Sequence, residues 1–162
     1  MRTYTVRDEL YCQARNERTI AQVVTLEVKA REQKIVVVQA GELAQSINAN
    51  GKIALYGIYF DLDKIELTPE SKPQVDEIAA LLKGDPARKL MVVGHTDNQG
   101  AAAHNIELSK KRADAVASVL QTQYGVAADR RLAQGMGRAA PVASNDSDTG
   151  RAKNRRVELL KQ

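Results

Sequence analysis

The chain has 162 residues, 43% hydrophobic and 27% charged, enough for one good core plus a small appendage. No apolar run approaches the ~18 residues of a membrane span, and the N-terminus lacks the charged-then-apolar pattern of an intact secretory signal. The net charge of +4 is concentrated in residues 124–162, with 8 Lys and Arg against 4 Asp and Glu, yet one Phe, five Tyr and no Trp give these arginines no base-stacking aromatics, which argues against nucleic acid.

In chain order, Cys12 comes first among the chemically distinctive residues. It follows Leu10 and Tyr11, with no preceding apolar run and a bulky side chain where a lipoprotein cleavage site wants a small one. Lipid attachment there is not expected, and a lone cysteine makes no internal disulfide. TLEVKA (25–30) and KIVVVQ (34–39) read as two paired strands, with a short helical stretch over 42–48. A two-stranded unit is marginal alone. The run from Ile35 to Val38 is apolar on both faces and needs cover, either from a neighbouring strand of the same chain or from a second copy in a homodimer. Residues 1–50 are therefore set apart as a β-rich extension, and residues 51–162 as the main domain.

Residues 53–60 read as a strand. Thr68 and Pro69 then start a helix as N-cap and first-turn proline, carried by Val75, Ile78, Ala79 and Leu82 as far as Gly84, with Pro73 removing one backbone bond. Leu90, Met91, Val92 and Val93 form a buried strand ending in the turn-rich HTDNQG. A long helix follows over about 101–123, with Gly125 as its stop signal. A short strand over 132–135, a loop through Pro141 and Asp148, and a final strand over 156–160 complete the chain. Gly135, Gly137 and Pro141 read as turn geometry, since GMGR feeds no helix as a phosphate loop does. Strands and helices in this order predict an α+β fold, a two-layer sandwich in which a small mixed sheet is covered on one face by helices.

The long helix carries the chemically informative irregularity. At about 100° per residue, Val116, Val119 and Leu120 form its buried stripe, while Lys110, Lys111, Asp114, Ser118 and Gln121 face solvent. Asn105 and Arg112 fall on the buried side. A guanidinium in line with Val116 is costly unless an anion or a set of acceptors meets it. Asp97, at the end of the preceding strand, is the nearest candidate. Two readings follow: a structural Asp97–Arg112 ion pair, or a receptor in which Asp97 takes an ammonium and Arg112 a carboxylate. Both hold in turn if the pair closes on itself when empty.

Four segments, IYFDLDKIELTPES (58–71), VVGHTDNQG (92–100), NIELSKKRADAV (105–116) and GRAKNRRVEL (150–159), resemble in order and spacing the OmpA C-terminal-like peptidoglycan-binding domain. The similarity spans roughly residues 52–161. It implies a noncatalytic, cofactor-free module in which Asp97 and Arg112 grip the amino and carboxylate ends of the diaminopimelate side chain of the peptidoglycan stem peptide. It also points to Asn105, to the loop residues Asp61, Leu62 and Asp63, and to Arg155 as pocket wall. Asp63 stands where some members carry Asn. The implied setting is the periplasm of a Gram-negative cell, with the module tethering an outer-membrane or periplasmic protein to the wall. By the same resemblance, the chain looks like a fragment or mature form.

A metal-assisted wall hydrolase is the competing class, with His95, Asp97 and His104 as ligands. Their spacing matches no strong ligand pattern, and His104 points sideways from the helix stripe. A hydrogen-bonded structural role is expected for His95. No paired carboxylates and no Ser/His or Cys/His set stand out, Ser109 lying in the helix without a nearby base.

Overall fold

The computed structural model describes residues 37–61 and 63–162. Contacts group Ile35–Gln162 as one compact unit. Its elements are helix α1 (Ala40–Asn50), strand β1 (Lys52–Leu55), a 3-10 turn (Pro69–Ser71) leading into α2 (Lys72–Gly84), β2 (Leu90–His95), α3 (Ala102–Thr122), β3 (Arg131–Gly137), α4 (Asp148–Asn154) and β4 (Val157–Lys161). The sheet order is β1-β4-β2-β3, with β4 antiparallel to both neighbours and β2 parallel to β3. This is the α+β arrangement expected.

Alternation along the strands separates the two faces of the sheet. Val92 pairs with Leu159 and Leu159 with Ile53, while Gly94 pairs with Val157 and Val157 with Leu55, so these side chains share one face. Leu43 and Ile47 of α1, Val75, Ile78 and Leu82 of α2, and Ala113, Val116 and Leu120 of α3 pack against them in a single apolar cluster. Lys52, Val93, Arg156 and Glu158 occupy the opposite face by the same register.

α1 is longer than expected and belongs to this core, since Leu43 and Ile47 lie one turn apart and are fully buried. It ends at Gly51, whose N–H makes the last bond of the helix to the Ile47 carbonyl and whose positive φ of 72° turns the chain away into β1. The paired strands expected over 25–30 and 34–39 lie outside the described residues except for residues 37–39, which belong to no strand. Val38 is instead clasped by the Gln74 side chain, which accepts from its N–H at 2.8 Å and donates to its carbonyl at 3.0 Å. The Glu77 carboxylate accepts from Ala40 N.

The strand expected over 53–60 stops at Leu55, because its partner β4 begins opposite, at Val157. Beyond it the Ser71 hydroxyl takes over the ladder's role, accepting from Tyr59 N at 2.7 Å and donating to Tyr59 O at 3.1 Å, and Phe60 bridges Leu67. Thr68 opens the following turn through its carbonyl rather than as a side-chain cap. Pro73 sits in the first turn of α2, where the missing N–H would have no helical partner, so the lost bond anticipated for it does not arise. The segment after Pro141 holds α4, capped by Ser147, whose hydroxyl accepts from Gly150 N at 3.1 Å.

α3 crosses β2 and β3 with no room for a side chain between. A Cβ on Gly94 would lie 2.2 Å from Ser109 O, and one on Gly135 would lie 2.4 Å from Lys110 N. Both obstacles are helix backbone and cannot swing aside. Gly94→Ala and Gly135→Ala are each expected to lower the stability measured by urea denaturation by about 2–3 kcal/mol. Gly41→Ala, with nothing within 4 Å of its Cβ in helix α1, should raise it by up to about 1 kcal/mol.

Candidate functional site

The site forms where the chain leaves β2. A register shift after Gly94 sets His95 opposite Gly137, whose carbonyl accepts from Thr96 N at 2.9 Å. Asp97 follows, buried at 7% exposure. Its Oδ1 accepts from Gln99 N at 3.0 Å, an Asx-type turn that fixes the carboxylate to its own backbone. Its Oδ2 accepts from Arg155 Nη1 at 2.7 Å. The Asn105 amide, also buried, donates to Gln99 O at 2.8 Å and to Asp97 O at 3.4 Å, tying this turn to the first turns of α3.

A brace of asparagines holds Arg155 in position. Asn154, fully buried at the end of α4, accepts from the N–H groups of Val142 and Ala143 and donates to Ala143 O and to Asn145 Oδ1. That same Asn145 oxygen accepts from Asn98 N at 3.2 Å. The turn after β2, the loop before α4 and the residue before Arg155 thus share one hydrogen-bond network.

Arg112 reaches the site from α3 and is half-buried. Its Nε donates to Lys64 O at 3.0 Å and its Nη2 to Asp61 O at 3.1 Å, and the guanidinium stands 5.0 Å from the centre of the Phe60 ring. These contacts leave further N–H donors for an incoming anion. Burial pulls its pKa below the ordinary arginine value; Asp63 opposes this, Arg155 adds to it and Asp97 opposes it again, so all three charges are felt at this guanidinium. The structural Asp97–Arg112 ion pair, one of the two readings of the sequence, is not formed. Asp97 takes Arg155 because β4 lies beside β2 in the sheet, which brings the start of β4 next to the end of β2. Arg112 is met by loop carbonyls instead.

Of the loop residues, Asp61 pairs with Lys64 at 3.0 Å and serves Arg112 through its carbonyl. Asp63 takes a left-handed backbone, φ 56°, which Asp tolerates, and its Oδ1 lies 2.8 Å from His104 Nε2. Leu62 lies outside the described residues. Asp97, Asn105, Arg112, Arg155, Asp61 and Asp63 are therefore brought to one region. Phe60, Gln99, Asn145 and Asn154 join them without having been singled out. Asn154 is next to Arg155 in the NRR segment, and Phe60 is the chain's one phenylalanine beside Asp61. These positions were the available signals.

The alternative metal trio is dispersed. Asp97 is bonded to Arg155 and His104 to Asp63, and no group of three His, Cys, Asp or Glu able to hold a metal occurs among the described residues. His95 is buried beside Glu158, with 3.8 Å between His95 Nε2 and the carboxylate, and neither ring nitrogen has a hydrogen-bond partner among the described residues. The hydrogen bonds expected for it are absent because its face of the sheet presents the Arg156–Glu158 pair, in which Glu158 already accepts from Arg156 at 2.8 Å.

The OmpA family profile matches residues 59–155. The chain belongs to the OmpA family. It is 43% identical over 101 residues to outer membrane porin F of Pseudomonas aeruginosa, covering 62% of this chain and 29% of that protein. It is 40% identical over 121 residues to the peptidoglycan-binding protein ArfA of Mycobacterium tuberculosis, covering 74% and 35%. The chain thus spans about a third of the length of these relatives. The crystal structure of the peptidoglycan-associated lipoprotein from Burkholderia pseudomallei superposes with a TM-score of 0.60 at 31% identity, covering 70% of this chain and 92% of that one. The OmpA-like unit carries all the site residues named above. No helix among the described residues is long and apolar enough to cross a membrane.

Burial pushes the His95 pKa down to about 4 from 6.5, with Arg156 next in effect and Glu158 only partly opposing them. The folded state favours neutral His95, so its contribution is intact above pH 6.5 and is lost as pH falls toward 4. By pH 4 this amounts to about 3 kcal/mol. His95→Asn should therefore flatten the pH dependence of the urea midpoint between pH 7 and pH 4 relative to wild type.

Proposed function

We propose that the chain is a noncatalytic peptidoglycan-binding module that holds the stem peptide by the side chain of diaminopimelate. The observation that carries this reading is the buried Asp97 carboxylate beside two guanidinium groups, Arg112 and Arg155, an arrangement complementary to a group bearing both an ammonium and a carboxylate. Asp97 takes the ammonium and Arg112 the carboxylate. Asn105 holds the Asp97 turn, and the loop residues Asp61 and Asp63 wall the site with Arg155. Family membership and the names of ArfA and the peptidoglycan-associated lipoprotein support peptidoglycan as the ligand. Porin F supports placement at the outer membrane. The module then tethers an outer-membrane or periplasmic protein to the wall of a Gram-negative cell. The dispersal of His95, Asp97 and His104 favours binding over metal-assisted hydrolysis.

Asp97→Ala or Arg112→Ala is expected to abolish pulldown by insoluble diaminopimelate-type sacculi, because removing one partner of a buried charged contact costs about 2–5 kcal/mol, on the order of 30-fold or more. Arg112→Lys should restore binding only in part, since an ammonium cannot serve two loop carbonyls and a carboxylate in the guanidinium's planar geometry. Chelator should leave wild-type binding unchanged, with no soluble muropeptides released. Wild-type retention of a folded alanine variant would sink the site assignment, and chelator-sensitive release of muropeptides would sink the noncatalytic one.

Self-association through residues 1–50 is a separate part of the proposal. Its strand-edge argument is confined to residues before Val37, because Val38 is already clasped by Gln74. Light scattering of the full chain is expected to report a dimer; a monomer at high concentration would exclude it.

A further inference from the structure

Arg155 occupies the position that the proposed ligand's cation needs. The Asp97 side chain is 9% exposed and fixed by Gln99 N, whereas the Arg155 side chain is 50% exposed, so the anion is immobile and its cation is the part free to leave. An ammonium approaching Oδ2 must displace the guanidinium held there at 2.7 Å. The backbone at Arg155 is fixed even though its side chain is free to swing. It follows Asn154, whose side chain is locked by four hydrogen bonds, and its own N–H is bonded to Arg151 O at 3.0 Å. With its backbone fixed, the displaced guanidinium swings about a point whose charge is already felt at Arg112 and disfavours the charged form there.

The outcome then depends on what else the ligand carries. A ligand with both an ammonium and a carboxylate exchanges partners without changing the local charge: its ammonium takes Asp97, and its carboxylate meets Arg112 and the released Arg155. A ligand with a lone ammonium adds a positive charge and brings no carboxylate for Arg112 and the released Arg155 to share. Asp63 already supports the charge of Arg112 and is held by His104, and its neighbour Asp61 is held by Lys64, so neither is a new anion for the released Arg155.

We propose that Arg155 is a specificity-determining residue that makes this pocket reject a lone ammonium and accept a zwitterionic side-chain end. Discrimination then comes from a repulsive element as well as an attractive one. The inference rests on the peptidoglycan-binding reading. Within it, a diaminopimelate side chain is accepted and a lysine side chain in the same stem position is refused, and the refusal is due to Arg155 more than to Arg112.

The test is calorimetric or chemical-shift titration of wild type, Arg155→Gln and Arg155→Lys with a diaminopimelate-containing muropeptide and its lysine-containing counterpart. Wild type should prefer the diaminopimelate form by at least about tenfold. Arg155→Gln should bind the lysine form more tightly than wild type does and narrow the preference at least about fivefold; Arg155→Lys, which keeps the charge, should retain most of it. Tighter binding of one ligand is a gain that damage to the fold would not produce. An unchanged preference in Arg155→Gln, or equal weakening toward both ligands, reduces Arg155 to pocket wall and overturns the inference alone. Equal binding of both ligands by wild type also overturns it alone. Binding of neither by wild type overturns the peptidoglycan reading and this inference with it.

Discussion

Helix α3 reaches the ends of β2 and β3 because both strands carry glycine where it crosses them. Gly94 and Gly135 are register partners, and a Cβ on either would lie within the backbone of α3. The close approach lets the Ser109 hydroxyl accept from Gly137 N while donating to Ile106 O, both at 2.9 Å. It also brings Asn105 within reach of the Asp97–Gln99 turn. Side chains at the two glycines would lift the helix off the sheet and take Asn105 and Arg112 with it. The placement of polar groups at the site therefore depends on a backbone packing contact that contains no polar side chain of the binding pair.

The electrostatics of the site follow from the burial of Asp97. A carboxylate removed from water needs a cation or several donors, and Gln99 N alone supplies one bond. Two arginines are near and they are held differently. Arg112 donates to two backbone carbonyls and stacks on Phe60, contacts that do not depend on Asp97. Arg155 meets Asp97 directly and is half exposed. One guanidinium is thus anchored by the protein, and the other is held by the very anion a ligand would claim. This division gives the site one positive charge held by backbone carbonyls and one held by a carboxylate.

Much of this was legible in the sequence wherever the signal was local. The period of Val116 and Leu120 and the stop at Gly125 located α3 to within a residue or so. The anomaly of Asn105 and Arg112 on its buried side pointed to the end of the sheet where Asp97 and Arg155 meet. What failed was non-local. Whether Asp97 meets Arg112 or Arg155 depends on β4 inserting between β1 and β2, and nothing in the neighbourhood of either arginine records that order. The strand expected over 53–60 failed for the same reason, since its length is set by where β4 begins. The burial of α1 is another such case: Leu43 and Ile47 show the helical spacing, but not that the cover they find is the sheet's own core.

The consecutive residues Asn154, Arg155 and Arg156 show how a short segment serves three environments. Asn154 closes α4 and locks the preceding loop, so the chain enters β4 from a fixed point. Arg155 meets Asp97 across the strand ends. Arg156, one residue on, falls on the face of the sheet opposite the helices, buried with Glu158 and donating also to Ala140 O. Its own carbonyl accepts from His95 N at 3.0 Å, two residues before Asp97. Removing Glu158 would leave a buried guanidinium with only the Asn154 and Ala140 carbonyls as acceptors, next to the strand start that positions Arg155. The polar pair under the sheet and the ion pair at its end are therefore joined by one peptide bond, and the position of Arg155 opposite Asp97 is built on the anchoring of Arg156 by Glu158.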